Sequence, residues 1–276
     1  VANQKAVVLV KNHDDVLPMN KGSKVYIECF KGVDPGAALA QSMGAGVAGG
    51  DDNELLRKQI AALFEAKGYA IVDRPEEADY AYLHVWPCSN GMVFYQYAMP
   101  VIEMVDNQLY ELREANKSQK KTGEMVPITT LKDVDKIKTI SEAVHANGGK
   151  VVATCVVCNP WLLDKLEPYV DGLTFQYTIS PVAMGNALGA QVDVLSGDYN
   201  PTGKISLTMV SCMDVIEITE KEIDGVMREV CASPNDVPGY DKDQYMPDSL
   251  KDENGKAYAY RDAAGNYYEM NFGLTY

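Results

Sequence analysis

The chain has 276 residues, 46% of them apolar and 23% charged, a composition that can bury a sizeable core. Its formal charge of -14 argues against nucleic acid and anionic membrane surfaces, which are held by clustered Lys and Arg. No apolar run approaches the roughly 18 residues of a membrane span, and six cysteines in a chain this long do not make a disulfide scaffold.

The chain opens VANQKAVVLV, with no Met and no leader pattern. Lys24 to Cys29 predicts a strand. Asp52 to Lys67 predicts a helix, with Leu56, Ile60, Leu63 and Phe64 on one face, Asp52 or Asn53 as its cap and Gly68 as its stop. Tyr69 to Val72 and Ala81 to Val85 predict further strands. The periodicity then dissolves from Trp86 to Pro127, a stretch that reads as a long loop of the kind that carries function.

The pattern resumes with a helix over Asp133 to Asn147, a strand over Lys150 to Val157 and a helix over Pro160 to Val170. A strand over Leu173 to Tyr177, a helix over Ser180 to Leu195 and a strand over Lys204 to Met209 follow. Repeated strand and helix units predict an α/β fold with a mainly parallel sheet covered on both faces, and the length allows one large domain or two ordinary ones. The acidic tail from Cys212 reads as loops and small hairpins, with Asn254-Gly255 as a type I′ turn.

Several motifs fail on context. In SGDYNPTGKIS, Gly197 and Gly203 stand one residue too far apart for a phosphate-binding loop, and Ile205 follows Lys204 where a Ser or Thr is needed. Gly44 to Gly49 spells G-x-G-x-x-G but follows an Ala-rich stretch, so it reads as a surface loop. Cys155 and Cys158 form a C-x-x-C inside a β-branched run, where residues three apart face opposite ways. Buried thiols there, with Cys29, behave as small hydrophobes and lean towards a reducing compartment; a redox domain built on the pair is the weaker alternative. His13, His84 and His145 are scattered and read as packed or surface residues. No cofactor or metal is implied.

Three motifs carry a resemblance. Ser180 to Ala187 running into Val194 to Ile205 resembles the stretch of glycoside hydrolase family 3 enzymes where a helix ends in Leu-x-Gly-Asp-x-Asn-Pro-Ser/Thr-Gly. Ala6 to Asn12 with Val16 to Met19 is similar to that family's entry into its second domain, and Asn271 to Tyr276 to that domain's close, less one glycine. The resemblance implies the second domain of a retaining β-glycosidase, with residues 1–276 as one α/β domain, a mainly parallel six-stranded sheet between helices. A barrel domain would carry the Asp nucleophile, and this chain would supply at most the acid/base, from two carboxylates about 5 Å apart. The expected partners are a β-glycoside and that barrel, in the same chain or another. Assembly with further copies of this chain is left open.

The acid/base Glu belongs by position in the Trp86 to Pro127 segment, where Glu103, Glu111, Glu114 and Glu124 are available. Glu124 lies closest to the usual distance before the next helix and Glu111 stands second. The family's Gly-Glu…Glu-Gly-x-Asp-Arg pattern is missing. Trp86, Phe94, Tyr95 and Tyr97 near the base of the segment offer faces for a sugar ring, or simply anchor the loop. The contrasting reading is a non-catalytic module that binds carbohydrate or a protein partner.

Overall fold

The structure, a computed structural model, describes residues 2–32, 52–88, 101–113, 121–157, 159–177, 184–216, 218–231, 246 and 248–276. A short helix α1 (Ala2–Lys5) leads into strand β1 (Val7–Asn12), followed by β2 (Lys24–Lys31), helix α2 (Asp52–Ala66), β3 (Ala70–Val72) and β4 (Tyr80–Trp86). A hairpin of β5 (Gln108–Arg113) and β6 (Lys121–Ile128) comes next, then α3 (Lys136–Ala146), β7 (Lys150–Val157), β8 (Gly172–Tyr177) and α4 (Met184–Leu195). A last hairpin joins β9 (Ile218–Ile223) to β10 (Val226–Cys231).

Six strands form one sheet in the order β1-β8-β7-β4-β2-β3. All neighbours run parallel except β1, which pairs antiparallel with β8. Burial on both faces explains why β4 (YAYLHVW) and β7 (KVVATCVV) read as continuous apolar runs. Alternate side chains face opposite layers. Val25 and Ile27 of β2, Tyr82 of β4 and Val152 of β7 meet Leu56, Ile60 and Phe64 of α2 and Leu188, Val192 and Leu195 of α4. On the other face Leu83, Ala153 and Phe175 meet Ile137, Ile140 and Val144 of α3, with Trp161, Leu163, Met209 and Tyr268 from irregular segments.

Four expectations are corrected. Six strands are present, but the sixth is β1 and not Lys204 to Met209. β1 occupies the sheet edge, so the later segment runs extended against the tail: Ile205 donates to the Phe272 carbonyl (2.9 Å) and Met209 to that of Tyr268 (2.9 Å). Pro160 to Val170 is not a helix. It buries Trp161, Leu163 and Leu166 but turns helical only as a 3-10 turn at Glu167–Tyr169, where Pro168 lacks the N–H a continuing helix needs. The segment from Trp86 to Pro127 holds the β5–β6 hairpin in its described part. At Asn254-Gly255 only Gly255 has a positive φ (71°), so the turn is not type I′. That turn type, which needs two positive φ values, is at Asp224 (54°) and Gly225 (75°) between β9 and β10.

Candidate functional site

The strand order fixes where a ligand crevice would lie. From β2 the chain moves outward to β3, then returns to β4 on the other side of β2 and continues to β7. Loops leaving the carboxyl ends of β2 and β4 therefore diverge, and such a switch point is where doubly wound sheets take their ligands. Lys31 ends β2 and Trp86 ends β4, in register with each other. The Lys31 ammonium sits 5.2 Å from the centre of the Trp86 ring, within cation–π range. Trp86 is half-buried and packs on Val156 of β7 and Ala187 of α4.

The β5–β6 arm is rooted at the same place. Gly32 donates to the Trp86 carbonyl (2.9 Å), and Cys88 donates to the Thr130 carbonyl (2.8 Å). A Cβ on Gly32 would stand 2.1 Å from the Thr130 oxygen, so only glycine fits. Thr130 closes the foot: its N–H reaches the Val105 carbonyl (2.9 Å), its hydroxyl donates to the Glu103 carbonyl (2.5 Å), and the same hydroxyl accepts from Val105 N–H (3.0 Å).

On the arm, Glu111 pairs in register with Met125 and Tyr110 with Val126. The two-residue period then puts Glu111, Leu109 and Met125 on one face and Glu124 with Tyr110 and Val126 on the other. Leu109 and Met125 are 60% and 53% exposed, which marks the Glu111 face as the outer one. The Glu111 carboxylate accepts from Gly123 N–H (2.9 Å), and that of Glu103 accepts from the Tyr110 hydroxyl (2.7 Å). Burial and the adjacent Glu103 push the Tyr110 hydroxyl pKa well above its ordinary value, so the phenol stays a donor. Glu124 is exposed, and among the described residues no side chain or backbone donor holds its carboxylate.

The structure thus brings Trp86, Glu103, Glu111 and Glu124 to one end of the sheet but does not pair two carboxylates. Phe94, Tyr95, Tyr97 and Glu114, the Gly44 to Gly49 loop and Cys158 lie outside the described residues. Cys155 is fully buried in β7, as its strand setting predicted. His84 is buried, His13 is exposed, and His145 packs against Asp171 (2.8 Å). Among the described residues no three His, Cys, Asp or Glu side chains could hold a metal ion, and no helix is long and apolar enough to cross a membrane. A cavity of about 380 Å³ beside Lys11, His145 and Asp262 lies at the opposite end of the sheet.

Sequence reasoning missed Lys31 and Thr130. Lys31 carries no motif and becomes informative only when the strand order sets it beside Trp86. Thr130 is one of two adjacent threonines, and nothing local tells which is buried.

Residues 7–276 match the family model described as the glycosyl hydrolase family 3 C-terminal domain. No curated protein matches the chain. Similar solved structures include β-glucosidase 3B from Thermotoga neapolitana in complex with glycerol, at 18% identity over 76% of this chain and 30% of that one, with a TM-score of 0.45. The β-D-glucoside glucohydrolase of Trichoderma reesei is 15% identical over 99% of this chain and 36% of its own, TM-score 0.49. The β-glucosidase of Listeria innocua in complex with isofagomine is 15% identical over 100% of this chain and 33% of its own, TM-score 0.48. The chain spans about a third of the length of these structures.

Proposed function

Because the chain belongs to glycosyl hydrolase family 3, as a C-terminal domain of that family, we propose that it is the second domain of a retaining β-glycosidase and supplies the general acid/base from the β5–β6 arm. Residues 1–276 act as one domain in this reading, and a barrel domain in the same or another chain carries the Asp nucleophile. The observation that supports it is the rooting of the arm at the switch point: Thr130 joins its foot to Cys88, two residues beyond Trp86.

Glu124 is the preferred acid/base. A general acid has to reach the glycosidic oxygen and later act as base towards water. The Glu111 and Glu103 carboxylates are occupied by Gly123 N–H and the Tyr110 hydroxyl, whereas Glu124 is exposed on the other face. Trp86 offers a ring at the foot for sugar stacking, and Tyr95 stands as a second candidate for that role. In the full enzyme, Glu124→Gln is expected to slow β-glycosides with poor leaving groups at least a hundredfold more than activated aryl glycosides, since only the former need protonation. The isolated chain is expected to leave aryl β-glucosides intact, because it supplies only one of the two carboxylates. Equal rates for Glu124→Gln and wild type on both substrate types would remove Glu124 and pass the role to Glu111.

A second reading, binding without catalysis, rests on the exposed Leu109 and Met125 of the outer arm face, an apolar strip suited to a protein partner. Activity in the full enzyme that depends on none of the arm glutamates would favour it.

A further inference from the structure

Between the sheet and α4 lies a layer of polar side chains where the neighbouring positions are Val and Leu. Tyr82 and His84 come from β4, Thr154 from β7, Thr174 from β8 and Gln191 from α4, and each is 0% exposed. Thr154 and Thr174 satisfy each other (2.9 Å), and Thr174 also reaches the Ala153 carbonyl (3.3 Å). The other three touch one another, His84 bonding to Gln191 as well as to Tyr82, but do not use up all their polar atoms. Tyr82 donates its one hydroxyl proton to Gln191 Oε1 (3.0 Å), and His84 Nδ1 lies 3.4 Å from the same hydroxyl oxygen. With that proton committed, the contact to His84 works only if Nδ1 carries a hydrogen and donates. A neutral ring then presents a bare Nε2 lone pair, and burial keeps the ring neutral by pushing its pKa down to about 4.

Two side-chain atoms are left without partners at full burial: His84 Nε2, an acceptor, and Gln191 Nε2, a donor. An orphaned buried polar atom costs stability that a small polar molecule removes by bonding to it. A binding group here must donate to His84 Nε2 and accept from Gln191 Nε2, must be uncharged in this apolar layer, and must be small. We propose that this joint is a binding site for an internal water molecule that bridges His84 Nε2 and Gln191 Nε2 and so ties α4 to β4.

The placement gives the site a role. His84 is two residues before Trp86 on the same side of β4, and Gln191 is four residues after Ala187 on the same side of α4. Trp86 packs on Ala187, so the bridge sets the spacing of the two elements that seat Trp86. It acts on Trp86 by position, without touching a substrate.

Two measurements on the 276-residue chain test this. In wild type, proton cross-relaxation between water and the Gln191 side-chain amide is expected to show a long-lived bound molecule, and nitrogen-resolved spectra of His84 should show the proton on Nδ1. Separately, the apolar replacements His84→Phe and Gln191→Met are each expected to lower the folding equilibrium constant about tenfold, because each strands the other's atom. The double variant should lose at least threefold less than the two losses multiplied. No water contact at the Gln191 amide, a proton on His84 Nε2, or a double variant whose loss equals the product of the single losses would each overturn the proposal.

Discussion

His84 also makes the molecule acid-sensitive. Its folded pKa of about 4, against an ordinary 6.5, means the unfolded chain holds the proton more tightly. The stability from keeping the ring neutral is therefore complete above pH 6.5 and lost as pH falls to 4, about 3 kcal/mol in all. The groups facing the ring are Tyr82, Thr154 and Gln191, with Cys29 its register partner on β2, and burial pushes that thiol up to about 12, so none carries charge in this range. Urea titrations at pH 7 and 4.5 should show the loss, and His84→Phe should flatten it. Asp198, held near 2 by Lys67 and Lys21, acts in a lower window: its share is present above 3.8 and is lost as pH falls towards 2. A second residue-scale prediction concerns Glu167, whose nearly buried carboxylate binds Lys11 (2.7 Å) and accepts from the Tyr260 hydroxyl (2.7 Å). Glu167→Ala leaves the Lys11 ammonium with only the residue 167 carbonyl (2.9 Å) and no counter-charge, and is expected to cost about 3 kcal/mol in urea midpoint experiments. At this scale the sequence tells little. His84 and Glu167 look like any histidine or glutamate, because their partners Gln191, Lys11 and Tyr260 come from distant segments.

Elements were more legible where one rule decided them. β7 is at its predicted bounds, and β2, β4, β8, α2 and α3 shift only at their ends, because buried parallel strands and amphipathic helices announce themselves by apolar runs and periodicity. The segment Lys204 to Met209 misled for a physical reason: its alternation is real, since Ile205 and Met209 are buried, but its pairing partner is the tail. The β9–β10 hairpin carries the Asp224-Gly225 turn signal, but its strands ITEKEI and VMREVC lack the alternation that would mark them as strands. The β5–β6 arm was less readable, because its strands carry charges on both faces, Glu111 on one and Glu124 on the other, with Gly123 and Pro127 inside. Its foot yields a prediction. Gly32→Ala forces a methyl against the Thr130 oxygen and the Cys88 nitrogen, 2.1 and 2.6 Å away and both backbone. A loss of about 1–3 kcal/mol is expected, with amide exchange quickened across Gln108–Arg113 while β7 keeps its protection.

For the whole molecule, the family motifs proved to be fasteners. Asp198, in the Gly-Asp-x-Asn-Pro stretch, binds Lys21 (3.0 Å) and Lys67 (2.6 Å), while Asn200 accepts from the Tyr276 N–H (3.2 Å). The tail completes the core: Tyr268 is fully buried, stacked on Phe272 at 5.5 Å and edge-on to Phe175 at 6.1 Å. Tyr268→Ala is expected to cost about 3–5 kcal/mol, measured as a lowered urea midpoint. The order of events during synthesis follows from where the tail lands. Leu274 donates to the Leu9 carbonyl (2.7 Å), joining the far end of the chain to its first strand. β1 leaves the ribosome well before Leu274 does, so the outer side of β1 stays uncovered until the tail has been made. An unguarded strand edge can template pairing with other nascent chains, and closing so long a loop is slow because its entropy cost precedes its reward. Aggregation of this protein should therefore depend more on how quickly residues 268–274 are released and docked than on how stable the finished fold is.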